Sequence, residues 1–202
     1  MNLNLYDYVF STQNLSAAEN NQFLVNSLQN FDPDFSAEKI IRDEFGKPYI
    51  IHNPFFFSLS HSNDLLVIAC SSSPIGIDCE FHKERKFEAI SNRYYADEEQ
   101  IFAKNDIANF YQVWCQKEAL LKTIGVGIRI DLKSLNSFAH QQDLEFNHKL
   151  YSFAPLLTDI HLIDKYTVVV NHTKPLKLFK GFLFIAKIYK LIFTIGIYKI
   201  QG

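Results

Sequence analysis

FFFSLSHSNDLLVIACSSSPIGIDCE, residues 55–80, is the stretch whose reading decides the fold class. Its apolar runs at 55–59 and 65–70 read as strands, with Ser60-His61-Ser62-Asn63-Asp64 as a polar loop between them. Ser71-Ser72-Ser73-Pro74 is turn chemistry, and 75–80 reads as a third strand. Upstream, residues 3–10 are consistent with a strand, and Ser16 with Glu19 forms a capping-box signature that opens a helix. Phe23, Leu24, Leu28 and Phe31 follow at helical spacing until Asp32-Pro33-Asp34 breaks the element. Residues 36–42 fit a short helix or a strand, and Phe45-Gly46-Lys47-Pro48 is a turn. Downstream, 87–104 and 110–124 read as helices, the second ending at Gly125. Strand-like pieces then follow at 151–154, 160–163 and 166–170. Helices and strands alternate without the regular rhythm of a parallel βαβ sheet, so the expected class is α+β.

With 202 residues, 48% of them hydrophobic, the chain can bury a core, which excludes wholesale disorder. The formal charge of −2 argues against a broadly basic nucleic-acid binder. Three cysteines (Cys70, Cys79, Cys115) without paired spacing give neither a disulfide framework nor a zinc site. MNLNLYDYVF lacks a basic segment followed by an apolar run, so no signal peptide is expected there. Charge is uneven: residues 174–202 carry six lysines and no acid, which leaves the remainder acidic.

The residues able to carry chemistry fall in three groups. Asp78 and Glu80 of GIDCE lie two apart on a strand, so both carboxylates project to one face, while Ile77 and Cys79 take the other. Such a pair suits Mg²⁺ with its waters and a substrate phosphate; an edge strand with a solvated face is the plainer reading of the same spacing. Trp114, Glu118 and Lys122 form a stripe on the strongest helix. Glu118 and Lys122 also make an ordinary helix-stabilising pair, but an aromatic in the same stripe turns it toward the core or a cleft. The third group is Ser60-His61-Ser62 with Gly46-Lys47-Pro48, whose hydroxyls, imidazole and amine suit a phosphate dianion. Neither a Walker loop nor a G-x-S-x-G elbow is present.

In order and spacing, GKP (46–48), SLSHS (58–62), GIDCE (76–80) and WCQKEALLKTIGVG (114–127) resemble the 4′-phosphopantetheinyl transferases of the surfactin type. The resemblance is firm over about residues 40–130 and vague on either side. It implies a pseudo-two-fold arrangement of two similar α/β half-domains with coenzyme A between them; the expected halves are 1–75 and 76–172, and the basic apolar tail at 173–202 has no counterpart in the family. By the same resemblance Asp78, Glu80 and Glu118 would ligate Mg²⁺, and Lys47, Ser60 and His61 would contact the 3′-phosphate of CoA. Lys122 would neutralise the departing phosphate, and Glu118 would accept the proton of the attacking serine. The implied enzyme is a cytoplasmic, monomeric transferase whose partners are CoA and an apo acyl or peptidyl carrier protein. Nucleic acid is not an expected partner, nor is a membrane.

Two features bear on that expectation. The stretch AENNQFLVNSLQNF (18–31) has no basic residue where the family commonly has arginines, which keeps open an eroded homologue that binds CoA or a nucleotide without transfer. The tail reads either as final strands or as a basic amphipathic helix on a membrane surface, and its β-branched and aromatic content favours strands.

Overall fold

Ser60, His61 and Ser62, expected in a connecting loop, are the last residues of a strand in the computed structural model. Here β4 (Phe56–Ser62) pairs antiparallel with β5 (Leu65–Ser71) through the tight turn Asn63-Asp64, where Asn63 takes φ 53°. The structure describes residues 8–11, 16–30, 32–44, 46–51, 55–71, 73–127, 130–139, 142–146, 148–153, 157–172, 182–186 and 195–199. Outside them lie the start of the expected first strand (3–7), Leu15, Phe31, Phe45, Ser72, Ala154 and the tail residues 173–181, 187–194 and 200–202.

Before β4 come β1 (Tyr8–Ser11), α1 (Ala17–Gln29), a 3₁₀ turn (Ala37–Lys39), β2 (Ile40–Arg42) and β3 (Pro48–Ile50). The capping box forms as expected. The Glu19 N–H donates to Ser16 Oγ at 3.3 Å, and the Ser16 N–H donates to Glu19 Oε2 at 2.8 Å. Gly46, at φ 86°, makes the turn of the β2–β3 hairpin, a backbone conformation glycine adopts without strain.

After β5 come β6 (Ile75–Phe81), α2 (Phe87–Tyr94), α3 (Asp97–Ala103) and α4 (Ile107–Ile124). The remaining strands are β7 (Gln142–Phe146), β8 (Lys149–Phe153), β9 (Leu157–Ile163), β10 (Tyr166–His172), β11 (Phe182–Ala186) and β12 (Ile195–Lys199). The single helix expected over 87–104 is two. Tyr95 is buried and donates its hydroxyl to the Phe110 carbonyl at 2.7 Å, while the Glu99 carboxylate accepts the Ala96 N–H at 2.7 Å and starts a new helix. The acidic run Asp97-Glu98-Glu99 is the sequence mark of that start.

Among the described residues the sheets run β12-β11-β1-β5-β4 and β6-β10-β9, with the hairpins β2–β3 and β7–β8 beside them. β11 is parallel to β1, so the described tail strands join the sheet of the first half. β4 and β6 are the edges of their sheets. Leu65, Val67 and Ala69 of β5 share one buried cluster with Ile77 and Cys79 of β6 and Val168 and Val170 of β10, so the two sheets have a common core. The other face of β5, Ile68 and Cys70, packs with Phe57, Leu28 and Phe35 under α1. The class is therefore mixed α+β.

Two devices fix α4 against this core. A Cβ on Gly76 would lie 2.0 Å from the Ala119 carbonyl oxygen, so only glycine lets α4 cross β6 this closely. A buried ion pair holds the outer side of the helix. Lys117 Nζ sits 2.7 Å from Glu99 Oε2 and donates to the Leu132 carbonyl at 2.8 Å and to the Leu135 carbonyl. Glu99 Oε1 accepts the Ser137 N–H at 2.7 Å, which ties α3, α4 and the loop 132–137 together.

Candidate functional site

Strand alternation divides β4. Phe57, Leu59 and His61 take one face, and Ser58, Ser60 and Ser62 the other, toward β6. The free edge of β6 is met by side-chain hydroxyls. The Ile77 N–H donates to Ser58 Oγ at 3.1 Å, and the Phe81 N–H donates to Ser62 Oγ at 3.0 Å. Ser60 Oγ donates to Asp78 Oδ1 at 2.8 Å, and Ser62 Oγ donates to Glu80 Oε2 at 3.0 Å. Three serines with period two thus form a seam between the sheets, and two of them, Ser60 and Ser62, touch the carboxylates of GIDCE.

From above, α4 adds Glu118 and Lys122. Lys122 Nζ reaches Asp78 Oδ1 at 2.8 Å and the Leu59 carbonyl at 3.4 Å, so its ion pair runs across elements rather than along its own helix. Burial first, and then the charges of Asp78 and Glu80, push the Glu118 carboxyl up to about 7, against the opposing pull of Lys122. Burial also raises Glu80, with the Asp78 charge adding to it, while the Ser62 hydrogen bond and Arg85, 3.9 Å away, pull the other way. Between the carboxylates on the strand, the buried Cys79 thiol is pushed up to about 12 and stays protonated.

Two oxygens of this group, Asp78 Oδ2 and Glu118 Oε1, are buried with no hydrogen-bond partner among the described residues. A buried carboxylate oxygen without a donor is costly, and here the donor set is hard and negatively charged. Three carboxylates against Lys122 fit a divalent cation with oxygen ligands. Among the described residues no three His, Cys, Asp or Glu side chains stand as a ready-made metal cluster, so a cation would have to draw these side chains closer.

The phosphate-directed residues are dispersed. Ser60 is buried and engaged on Asp78, while His61, its neighbour in sequence, points from the opposite face and is exposed. Lys47 Nζ donates to the Lys122 carbonyl at 2.6 Å and to the Thr123 carbonyl at 3.3 Å, capping the C-terminus of α4. Desolvation there lowers its amine below the usual lysine range. Gly125, at φ 90°, lets the chain turn off directly beside the Lys47 stem. Trp114 is half-buried and meets Tyr94 edge to face at 5.9 Å, a packing contact. The sequence reading left the seam unassigned; its signal was the alternation S-x-S-x-S at 58–62.

Residues 74–170 match the model of the 4′-phosphopantetheinyl transferase superfamily. The chain is 32% identical over 147 residues to the 4′-phosphopantetheinyl transferase psf-1 of Bacillus pumilus, covering 63% of either chain. It is 33% identical over 119 residues to the 4′-phosphopantetheinyl transferase Sfp of Bacillus subtilis strain 168, covering 56% of this chain and 53% of that one. To the 4′-phosphopantetheinyl transferase gsp of Aneurinibacillus migulanus it is 31% identical over 98 residues, covering 46% and 40%. The chain therefore spans between two fifths and just under two thirds of these relatives' length.

Proposed function

From residues 74–170, which match the 4′-phosphopantetheinyl transferase superfamily, we propose that this protein moves the 4′-phosphopantetheine arm of CoA onto a serine of an apo acyl or peptidyl carrier protein. The observation that carries the reading is the meeting of Asp78 and Glu80 from β6 with Glu118 and Lys122 from α4. Asp78, Glu80 and Glu118 would hold Mg²⁺, which would offset the diphosphate charge as a Lewis acid. The serine oxygen of the carrier attacks the β-phosphorus of CoA, the bond to the leaving phosphate breaks, and 3′,5′-ADP departs. Glu118, as a carboxylate of the site, accepts the serine proton. Lys122 has three N–H donors, two directed at Asp78 and Leu59, which leaves one for the departing phosphate oxygen. The nucleophile comes from the partner, in keeping with buried, unactivated thiols at Cys79 and Cys115.

The adjoining edge strands β4 and β6 support reading the molecule as two half-domains in pseudo-two-fold relation, with CoA along the seam. Exposed His61 would meet its 3′-phosphate, whereas Lys47 and Ser60 would reach a phosphate only by leaving their present partners. No helix among the described residues is long and apolar enough to cross a membrane. A second reading, CoA binding without transfer, is favoured by the absence of any base in 18–31 and by the engagement of Lys47.

Intact-mass spectrometry of an apo carrier protein after incubation with this protein, CoA and Mg²⁺ separates the two. A gain of one phosphopantetheine arm, abolished by EDTA, establishes transfer. CoA binding by calorimetry without any gain across several carriers establishes the second reading.

A further inference from the structure

The seam makes the first half of the chain responsible for the aim of carboxylates that belong to the second. We infer that Ser62 is a positioning residue: its hydroxyl holds Glu80 in the orientation from which the carboxylate group takes a divalent cation. This rests on the cation site of the proposed transferase. Ser62 Oγ is fixed from two sides, accepting the Phe81 N–H at 3.0 Å and donating to Glu80 Oε2 at 3.0 Å. A hydroxyl has one proton, and with its backbone donor in place that proton has a defined direction. The bond occupies one oxygen of Glu80 and fixes the plane of the carboxylate, so the other oxygen is presented in a set orientation. Ser60 does the same for Asp78, occupying Oδ1 together with Lys122 and leaving Oδ2 buried and unpartnered. Ser58 occupies the equivalent place in the seam but, among the described residues, its hydroxyl bonds only the Ile77 N–H and touches neither carboxylate. Nature of the contact, rather than place in the seam, separates Ser62 from Ser58. That gives the inference an internal control.

The test is Mn²⁺ binding, followed by electron paramagnetic resonance of the free ion, to the wild type, Ser62→Ala, Ser62→Thr and Ser58→Ala, with thermal melts of each. Loss of a hydrogen bond that orients a metal-binding group costs roughly 10–100-fold in affinity. Ser62→Ala is expected to weaken Mn²⁺ binding about tenfold. Ser62→Thr, which keeps the hydroxyl, is expected to bind as the wild type does. Ser58→Ala is expected to lower the melting temperature while leaving Mn²⁺ affinity unchanged. Equal Mn²⁺ affinity in folded Ser62→Ala and the wild type overturns the inference, as does an equal loss in Ser58→Ala, which would mean general loosening of the seam. No Mn²⁺ binding by the wild type overturns the cation site itself, and the inference with it.

Discussion

Glu118 sits half-buried on α4 with its carboxyl raised to about 7, by burial first and then by the charges of Asp78 and Glu80. The sign of its effect on stability follows from linkage. As pH rises past 4.5 the unfolded chain releases this proton while the folded chain keeps it until about 7, so folding loses stability across that window. Glu118→Gln should remove on the order of 2 kcal/mol of that decline, read as a flatter denaturation midpoint between pH 5 and 8 without added metal. A decline of equal size in both proteins would refute the assignment. At Asp78 the sequence announced the residue and its face, because alternation along a strand is a local property. Its partners Ser60 and Lys122 lie 18 and 44 residues away, and only folding brings them to 2.8 Å.

At the scale of the elements, the α4 stripe and its glycine stop were legible because helical period and left-handed caps are written in neighbouring residues. The extent of β4 was less so. Polar Ser60 and Ser62 resemble loop residues until their period of two is matched to an edge strand that needs donors and acceptors. The break between α2 and α3 was hidden for a similar reason: buried Tyr95 looks like one more apolar residue, yet its hydroxyl needs the Phe110 carbonyl. Gly76 gives this level a direct test. In Gly76→Ala the new methyl would meet the Ala119 carbonyl, so α4 must shift, at a cost of about 2–3 kcal/mol. Glu118, adjacent to Ala119, would shift with it, and metal affinity should fall alongside the urea midpoint. Lys117→Met tests the outer side of the helix. It strands Glu99, 0% exposed, without its countercharge, and should cost about 3–5 kcal/mol in urea denaturation. The Lys117→Met/Glu99→Leu double change should recover part of that loss.

For the whole molecule, β6, α4 and the serine edge of β4 supply the site together, so a bound cation should tighten all three. Mg²⁺ at about a hundred times its dissociation constant should add about 2.7 kcal/mol to stability. A thermal scan with and without Mg²⁺ should show the rise in the wild type and not in Asp78→Asn. The strands of 55–80 could be read from their apolar runs, but their division between two sheets and the return of β11 to lie beside β1 could not, since nothing local in a strand names its distant partner. One consequence of the seam concerns time rather than space. The Ile77 and Phe81 amides are held by hydroxyl oxygens, whereas their neighbours on the β10 side of β6 lie in a regular ladder. Parting of the halves therefore frees those two protons while the ladder stays closed. In deuterium exchange they form a paired clock for breathing between the halves, distinct from the slower count of global unfolding.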